Sequence, residues 1–464
     1  MSDSNDPYGV FSASPSLPGL DPASYAAGFG AHERAPSSDA DPRAAFLWRP
    51  ARPEPDLSGS CDERFIAEYR ERGVGIAGAG LMGASIAALF LDAGARVTVY
   101  DPVPAALDSA RVRIRAALEQ IGARPAGAGP DEAERLFDSK VETLLQTTDS
   151  LETLADRPAV VEAIPEKIRL KAKFYDRLGQ AARNDLLLLT NTSSLRVADL
   201  AASLPTDSRA PICQARFAAF HFFHPIARRR LVEIAGSETT AASTAASTVA
   251  KLQWLARDLR MASLVAGDGP GLVVNRLLQA YLNESLKLLD EGLDPARLEA
   301  VCRRVGFEGA PLRVMDEIGL DVSLHAGYSF LKAFPERAYP STVLAGLVRE
   351  GRLGRKSKRG FYRYETAESW APDAVLDCGA ADLERWREVP VEPEFARRAV
   401  GLTDADAALR ILDAILREAR LLLDEKIAPS GREIDAGLVL GLGFPASKGG
   451  ILYWALATGR LALN

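Results

Sequence analysis

Two of the chain's four histidines lie in one pentapeptide, His221-Phe222-Phe223-His224-Pro225, and Leu231-Val232-Glu233 follows shortly after. Histidine is the side chain whose unperturbed pKa lies nearest neutrality. A glutamate twelve residues on returns beside it if the chain folds back through Pro225. A strand ending in histidine, paired with a strand carrying that glutamate, makes a general base with its orienting partner. The competing reading is a buried histidine and an unrelated surface glutamate.

A second constellation is Val74-Gly75-Ile76-Ala77-Gly78-Ala79-Gly80-Leu81-Met82-Gly83, with Asp101 after the apolar run Arg96–Tyr100. A lone GxGxxG is weak evidence, but here a strand precedes it, an apolar helix follows and an acidic residue ends the next strand. Gly78 permits the tight turn, Gly80 lets backbone approach a pyrophosphate, and Gly83 packs helix on strand. The helix N-terminus offers unpaired N–H groups and a positive dipole end to phosphate. Asp101 accepts ribose hydroxyls and repels a 2′-phosphate, which points to NAD over NADP. The alternative is a glycine-rich turn that binds no dinucleotide.

These side chains need a frame. From Gly73 to about Gly267 short β-rich runs (Val74–Ala77, Arg96–Tyr100, Ala159–Ile164, Asp185–Thr190, Arg216–Phe220, Leu231–Ile234) alternate with amphipathic helical stretches. That pattern predicts an α/β, Rossmann-type doubly wound domain. Asn191-Thr192-Ser193-Ser194 follows an apolar strand, at the edge where open α/β sheets bind ligands; the serines could instead cap a helix starting at Leu195. After Pro270-Gly271 the chain reads as helical. Asn275 lies there in an apolar helix, where a polar side chain costs free energy unless it is partnered.

The organisation expected is a disordered tail over 1–65, the nucleotide domain over 66–267, a first helical domain over 268–365, a linker over 366–395 and a second helical repeat over 396–464. The tail is rich in Ser, Pro, Ala, Gly and Asp. The two tandem all-α C-terminal domains show as an internal repeat: Glu284 to Gly292, Pro295 and Gly306-Phe307 match Glu418 to Lys426, Pro429 and Gly443-Phe444. The second copy has no counterpart of Asn275. Ala266–Pro270 is the expected hinge.

Taken in order, the motifs GAGLMG with Asp101, Val161-Glu162-Ala163-Ile164-Pro165-Glu166, Asn191-Thr192-Ser193-Ser194, His221-Phe222-Phe223, Leu231-Val232-Glu233, Pro270 to Arg276, and Gly354-Arg355-Lys356 before Arg359-Gly360-Phe361-Tyr362 resemble the L-3-hydroxyacyl-CoA dehydrogenase family. The resemblance covers about residues 70–464, and its tandem ending is similar to the dehydrogenase half of multifunctional fatty-acid β-oxidation enzymes. The residues before the nucleotide fold are too few for a hydratase core, so dehydrogenase activity alone is expected. The resemblance implies His221 as general base, Glu233 as the group that holds and polarises its imidazole, and Ser193 and Asn275 as hydrogen-bond partners of the substrate's oxygens. It also implies Glu166, Lys171 and Lys356 as contacts to the nicotinamide half of NAD; the alternative for Lys171 is a solvated helix position.

The chain departs from that pattern in places. His224 stands where the family has an asparagine near the nicotinamide ribose. The connection from Ser193 to His221 is longer, through Pro205, Asp207, Arg209 and Pro211. Leu440 stands where the multifunctional enzymes tend to have a tyrosine near the acyl group. Arg228-Arg229-Arg230 reads as a solvated turn or as a contact for coenzyme A phosphates, for which Arg113, Arg115 and Arg124 are equally eligible.

The bulk numbers agree with a soluble enzyme. A hydrophobic share of 47 % with 25 % charged residues is ordinary globular composition. A net charge of −6 favours neither nucleic acid nor an anionic membrane as partner. The four cysteines form no CxxC and read as reduced thiols, not as a metal site, in a cytoplasmic protein. The expectation is NAD-dependent oxidation of L-3-hydroxyacyl-CoA to 3-oxoacyl-CoA. The alternatives are an NAD-dependent dehydrogenase of a free hydroxy acid or sugar acid, or a non-catalytic NAD-binding protein. A monomer or homodimer is expected, with thiolase and enoyl-CoA hydratase as possible pathway partners.

Overall fold

The structure is a computed structural model and describes residues 62–121, 138–236, 242–365, 375–386 and 398–461. Arg124 and most of the expected tail lie outside these residues. The tail's last three positions do not fit that reading: Glu63–Arg72 is a helix (α1), with the Asp62 carboxylate accepting the Arg64 and Phe65 N–H groups.

The chain divides into two compact units between Leu272 and Val273. The first is built on an eight-stranded sheet: β1 Val74–Ala77, β2 Val97–Tyr100, β3 Leu145–Thr148, β4 Ala159–Glu162, β5 Leu187–Thr190, β6 Phe217–Phe222, β7 Leu231–Gly236 and β8 Ala262–Ala266, in the order β3-β2-β1-β4-β5-β6-β7-β8. All neighbours are parallel except β6 and β7. Two strands, β3 and β8, were not expected from sequence. The described part of β3, Leu-Gln-Thr-Thr, carries one apolar residue, and β8, Ala-Ser-Leu-Val-Ala, sits next to the junction.

Both faces of the sheet are covered. On one face Ile76, Val161, Leu189, Phe220, Phe222, Val232 and Ile234 pack against Ile86 and Phe90 of α2 (Leu81–Asp92), Ile114 of α3 (Pro104–Ile121) and Leu255. On the other, Val160, Leu188, Phe217 and Ala219 meet Phe174, Tyr175 and Leu178 of α4 (Ile168–Ala181) and Leu200 of α5 (Val197–Ala201). Strands buried on both faces read as near-continuous apolar runs, which is why they are visible in the sequence.

The second unit is helical. It begins with α6 Val274–Asp290, α7 Pro295–Val305 and α8 Pro311–Ile318, and ends with α9 Asp404–Asp424, α10 Gly431–Ala436 and α11 Ile451–Ala457. The stretch expected as a linker is partly structured: Val375–Leu376 pairs antiparallel with Tyr362–Arg363, and in the helix Ala380–Trp386 both Leu383 and Trp386 are buried. Their apolar side chains pack instead of tethering.

Candidate functional site

Because successive strand residues alternate between faces, Phe220 and Phe222 of β6 face one core, and His221 faces the other side with Phe217 and Ala219. Val232 and Ile234 put Glu233 of β7 on that same side. The antiparallel register sets His221 directly opposite Glu233. His221 Nδ1 lies 3.4 Å from Glu233 Oε2, and both residues are buried. That distance is long for a hydrogen bond, as such pairs often are before substrate closes the site. The His221 ring stands edge-on to Phe223, centroids 4.6 Å apart. Asn191 Oδ1 accepts the Phe222 N–H at 2.9 Å and so ties the end of β6 to the end of β5. His224 is exposed, in the turn beyond the strand.

The same face of the sheet carries a polar row at its carboxyl edge. Glu162 is in register with Thr190, and Thr190 with Ala219, two residues before His221. Glu162 is fully buried and accepts from Lys171 Nζ (2.6 Å), Tyr175 Oη (2.8 Å), Thr190 Oγ1 (2.9 Å) and the Ile164 N–H (3.0 Å). Lys171 also reaches Glu166 Oε2 at 3.1 Å. Lys171 is 1 % exposed, so the reading as a solvated helix position is wrong: a charge this buried must be paired. Glu166 Oε1 gathers the Thr192 hydroxyl (2.5 Å), the Ser193 and Ser194 N–H groups (3.0 and 3.1 Å) and the Ser194 hydroxyl (3.2 Å). Burial pushes the Glu166 carboxyl up, but the Lys171 charge, the Thr192 hydroxyl and the Ser194 N–H outweigh it and hold the group below its usual range.

The serines do not cap the helix after them. It begins at Val197, and the Asp268 carboxylate accepts its Val197 and Ala198 N–H groups at 2.7 and 2.8 Å. Sequence reasoning missed Asp268; an acidic residue between an apolar strand and Pro270-Gly271 was the signal available. Within the stretch expected as a hinge, Ala266 belongs to β8 and Asp268 is held by those two N–H groups.

The glycine turn is built as its sequence suggests. Gly78 has φ 106°. A Cβ on Gly83 would lie 1.9 Å from the Gly78 carbonyl oxygen, whereas one on Gly80 would meet nothing within 4 Å. Gly80 therefore faces open space beside the α2 N-terminus, which no side chain caps. Asp101 accepts the Ala79 and Val103 N–H groups, each at 3.0 Å. Each carboxylate oxygen keeps a lone pair for a ribose hydroxyl. An open glycine, uncapped N–H groups and an acidic strand end fit a dinucleotide. Arg113 donates to the Ala79 carbonyl (3.1 Å) and Arg115 lies 3.4 Å from Asp138. Arg229 is buried and Arg228 exposed, so the solvated-turn reading fails for Arg229.

Asn275 and Lys356 belong to the helical unit. Asn275 is half-buried in the first turn of α6. Lys356 pairs with both oxygens of Asp321, at 2.5 and 2.7 Å. Among the described residues no cluster of His, Cys, Asp and Glu could hold a metal ion, and no helix is long and apolar enough to cross a membrane.

Sheet order, glycine turn and acidic strand end together define a dinucleotide-binding α/β oxidoreductase fold. Family comparison narrows this. Residues 73–267 match the NAD-binding domain of 3-hydroxyacyl-CoA dehydrogenase and residues 271–364 match its C-terminal domain. The chain belongs to the 3-hydroxyacyl-CoA dehydrogenase family, and its cofactor is NAD. It is 31 % identical to M. tuberculosis FadB2, covering 63 % of this chain and 98 % of that one with a TM-score of 0.55. It is 26 % identical to 3-hydroxybutyryl-CoA dehydrogenase of Escherichia coli K12, covering 82 % and 90 %, with a TM-score of 0.64. It is also 26 % identical over 386 residues to the glyoxysomal fatty acid beta-oxidation multifunctional protein MFP-a of Cucumis sativus, covering 83 % of this chain and 50 % of that protein. The chain thus spans half the length of that curated relative.

Proposed function

We propose that the protein oxidises L-3-hydroxyacyl-CoA to 3-oxoacyl-CoA in fatty-acid β-oxidation. The observation that carries this reading is the cross-strand pair His221–Glu233 at the carboxyl edge of a sheet whose first turn is built for a dinucleotide. NAD, when bound, supplies the hydride acceptor. His221 takes the proton of the 3-hydroxyl, and Glu233 orients the imidazole and offsets the charge it gains. Ser193 and Asn275 hydrogen-bond the substrate's oxygens. Gly78, Gly80, Gly83 and Asp101 hold the adenosine and pyrophosphate half of the cofactor, with Glu166, His224 and Lys356 toward the nicotinamide half. Arg124 and the buried Arg229 are candidates for coenzyme A phosphates. A cytoplasmic location and a self-sufficient monomer, or else a homodimer, complete the proposal.

The test is NADH oxidation with acetoacetyl-CoA and with free acetoacetate at equal concentration. The thioester is expected to be much the better substrate; equal rates would favour a free-acid dehydrogenase, and no oxidation of either a non-catalytic NAD-binding protein. His221→Ala is expected to lose more turnover than the roughly 10²–10⁴ often assigned to one acid–base group, because geometry is lost as well. If His224→Ala is the worse variant, the base is misassigned.

A further inference from the structure

A cation stands beside the acidic strand end proposed to meet the adenosine ribose. Arg113 of α3 follows one turn after Ala110 and directly precedes Ile114, both buried in the core. Side chains on a helix lean toward its N-terminus. Arg113 reaches the glycine turn, where its Nη1 donates to the Ala79 carbonyl at 3.1 Å. The N–H of that same Ala79 donates to Asp101 Oδ2 at 3.0 Å. A single residue, Ala79, therefore joins the guanidinium to the carboxylate that follows β2. Neighbouring cations are matched by carboxylates: Arg115 lies 3.4 Å from Asp138 and Lys140 lies 3.9 Å from Asp92. Arg113 differs. It is exposed, and among the described residues its one partner is a neutral carbonyl. Its charge is thus not cancelled by an ion pair there, and most of its five donors are left for a ligand.

We propose that Arg113 is a specificity-determining residue at the adenosine end of the cofactor site, and that it lets this chain take NADPH as well as NADH. An acidic residue at this strand end favours a ribose hydroxyl over a 2′-phosphate, whereas a nearby arginine accommodates the phosphate; this turn carries both. The added phosphate brings negative charge and three strong acceptor oxygens. A guanidinium matches them best, because its donors form a planar fork. Attraction to Arg113 therefore offsets repulsion by Asp101. NADH gains little from the same arginine, since its ribose hydroxyls are neutral. The preference for NAD then stands on Asp101 alone and is weaker than an acidic residue without a neighbouring cation would set. The bond to Ala79 also separates Arg113 from the other arginines eligible for coenzyme A phosphates, because it ties the side chain to the dinucleotide turn. The inference rests on the proposed placement of the adenosine half at this turn.

Fluorescence titration of the full-length protein with NADH and with NADPH gives both Kd values without turnover. The parent is expected to bind both, NADH the more tightly. Arg113→Met should weaken NADPH by about tenfold or more, as for one lost charge-assisted contact, and NADH by less than about threefold. Arg113→Lys keeps the charge without the fork and should fall between parent and Arg113→Met for NADPH. Asp101→Ser should shift the preference toward NADPH, and adding Arg113→Met to it should again cost NADPH about tenfold. Should Asp101→Ser fail to fold, the exposed Arg113→Met decides alone. Equal weakening of both nucleotides in Arg113→Met would make the arginine a brace for the turn and overturn the inference. An NADPH Kd that does not move overturns it too, as does a parent that binds NADH but no NADPH at millimolar concentration. If the KM for acetoacetyl-CoA rises in Arg113→Met while the NADPH Kd stays put, the arginine belongs to coenzyme A and the inference fails. A parent that binds neither nucleotide would remove the placement of the dinucleotide at this turn together with the inference.

Discussion

The two helical repeats share a scaffold and differ in one telling side chain. Arg276 of α6 pairs with Glu418 and Glu425, and Arg410 of α9 pairs with Glu284 and Glu291. Each repeat-related pair is separated by the same 134 positions, so the contacts are reciprocal, as across a two-fold axis. A second device recurs. Asp316 accepts the Phe361 and Tyr362 N–H groups, and Asp435 accepts those of Leu452 and Tyr453. The preceding glycines, Gly360 and Gly450, leave no room for a Cβ against those aspartates. Asn275, however, has Leu409 at its related position, and Leu409 is buried. Residues that join the halves are duplicated, whereas the polar side chain proposed to meet the substrate is not. Packing and chemistry are separable in this unit.

Exchanging that one side chain gives the sharpest test of the contrast. Asn275→Leu is expected to lower kcat/KM by about 10²–10³, the range for removing one donor to a developing oxyanion, with little change in Tm. Leu409→Asn should leave kcat unchanged and cost about 1–3 kcal/mol of stability, because it buries an amide. Equal kinetic effects at both positions would break the comparison. The reciprocal ion pairs come next. Arg276 is fully buried, whereas the Arg410 side chain is 28 % exposed. Arg276→Met should therefore cost about 3 kcal/mol in urea unfolding, from the fully buried ion pairs it removes, with Arg337 still beside both Glu418 and Glu425, and Arg410→Met only about 1. Identical losses would show that burial does not distinguish the halves.

The smallest effect concerns pH. Burial pushes the Asp316 carboxyl up to about 6. A raised folded-state pKa contributes stability when the group is protonated, and that contribution is lost as pH rises from the ordinary carboxylate range through about 6. The stability gap between the parent and Asp316→Asn should therefore shrink by about 1 kcal/mol between pH 5 and 7, measured by thermal unfolding at both. A gap that widens over that window would contradict the assignment.

Much of the nucleotide unit was legible. Doubly covered parallel strands leave apolar runs, and the turn from Gly78 to Gly83 has few sequence solutions. The His221–Glu233 pairing was readable because two short strands joined through Pro225 have little choice of register. Other features were not legible. β3 lacks an apolar signature, Asp268 acts on a helix 71 residues earlier in the chain, and the burial of Lys171 was not readable because helical periodicity cannot say which polar position is buried against a strand end.

The sequence by itself determined the strand and helix types, the glycine turn, the histidine–glutamate pair and the duplication of the helical segment, because these follow from local periodicity, backbone sterics and short-range spacing. Only the tertiary structure decided which charges are withdrawn from water. Glu162 and Lys171 become a buried pair with the exposed Glu166 at its rim, and Arg276 and Arg410 become reciprocal clasps, because burial removes solvent as a partner and requires each buried charge to find another.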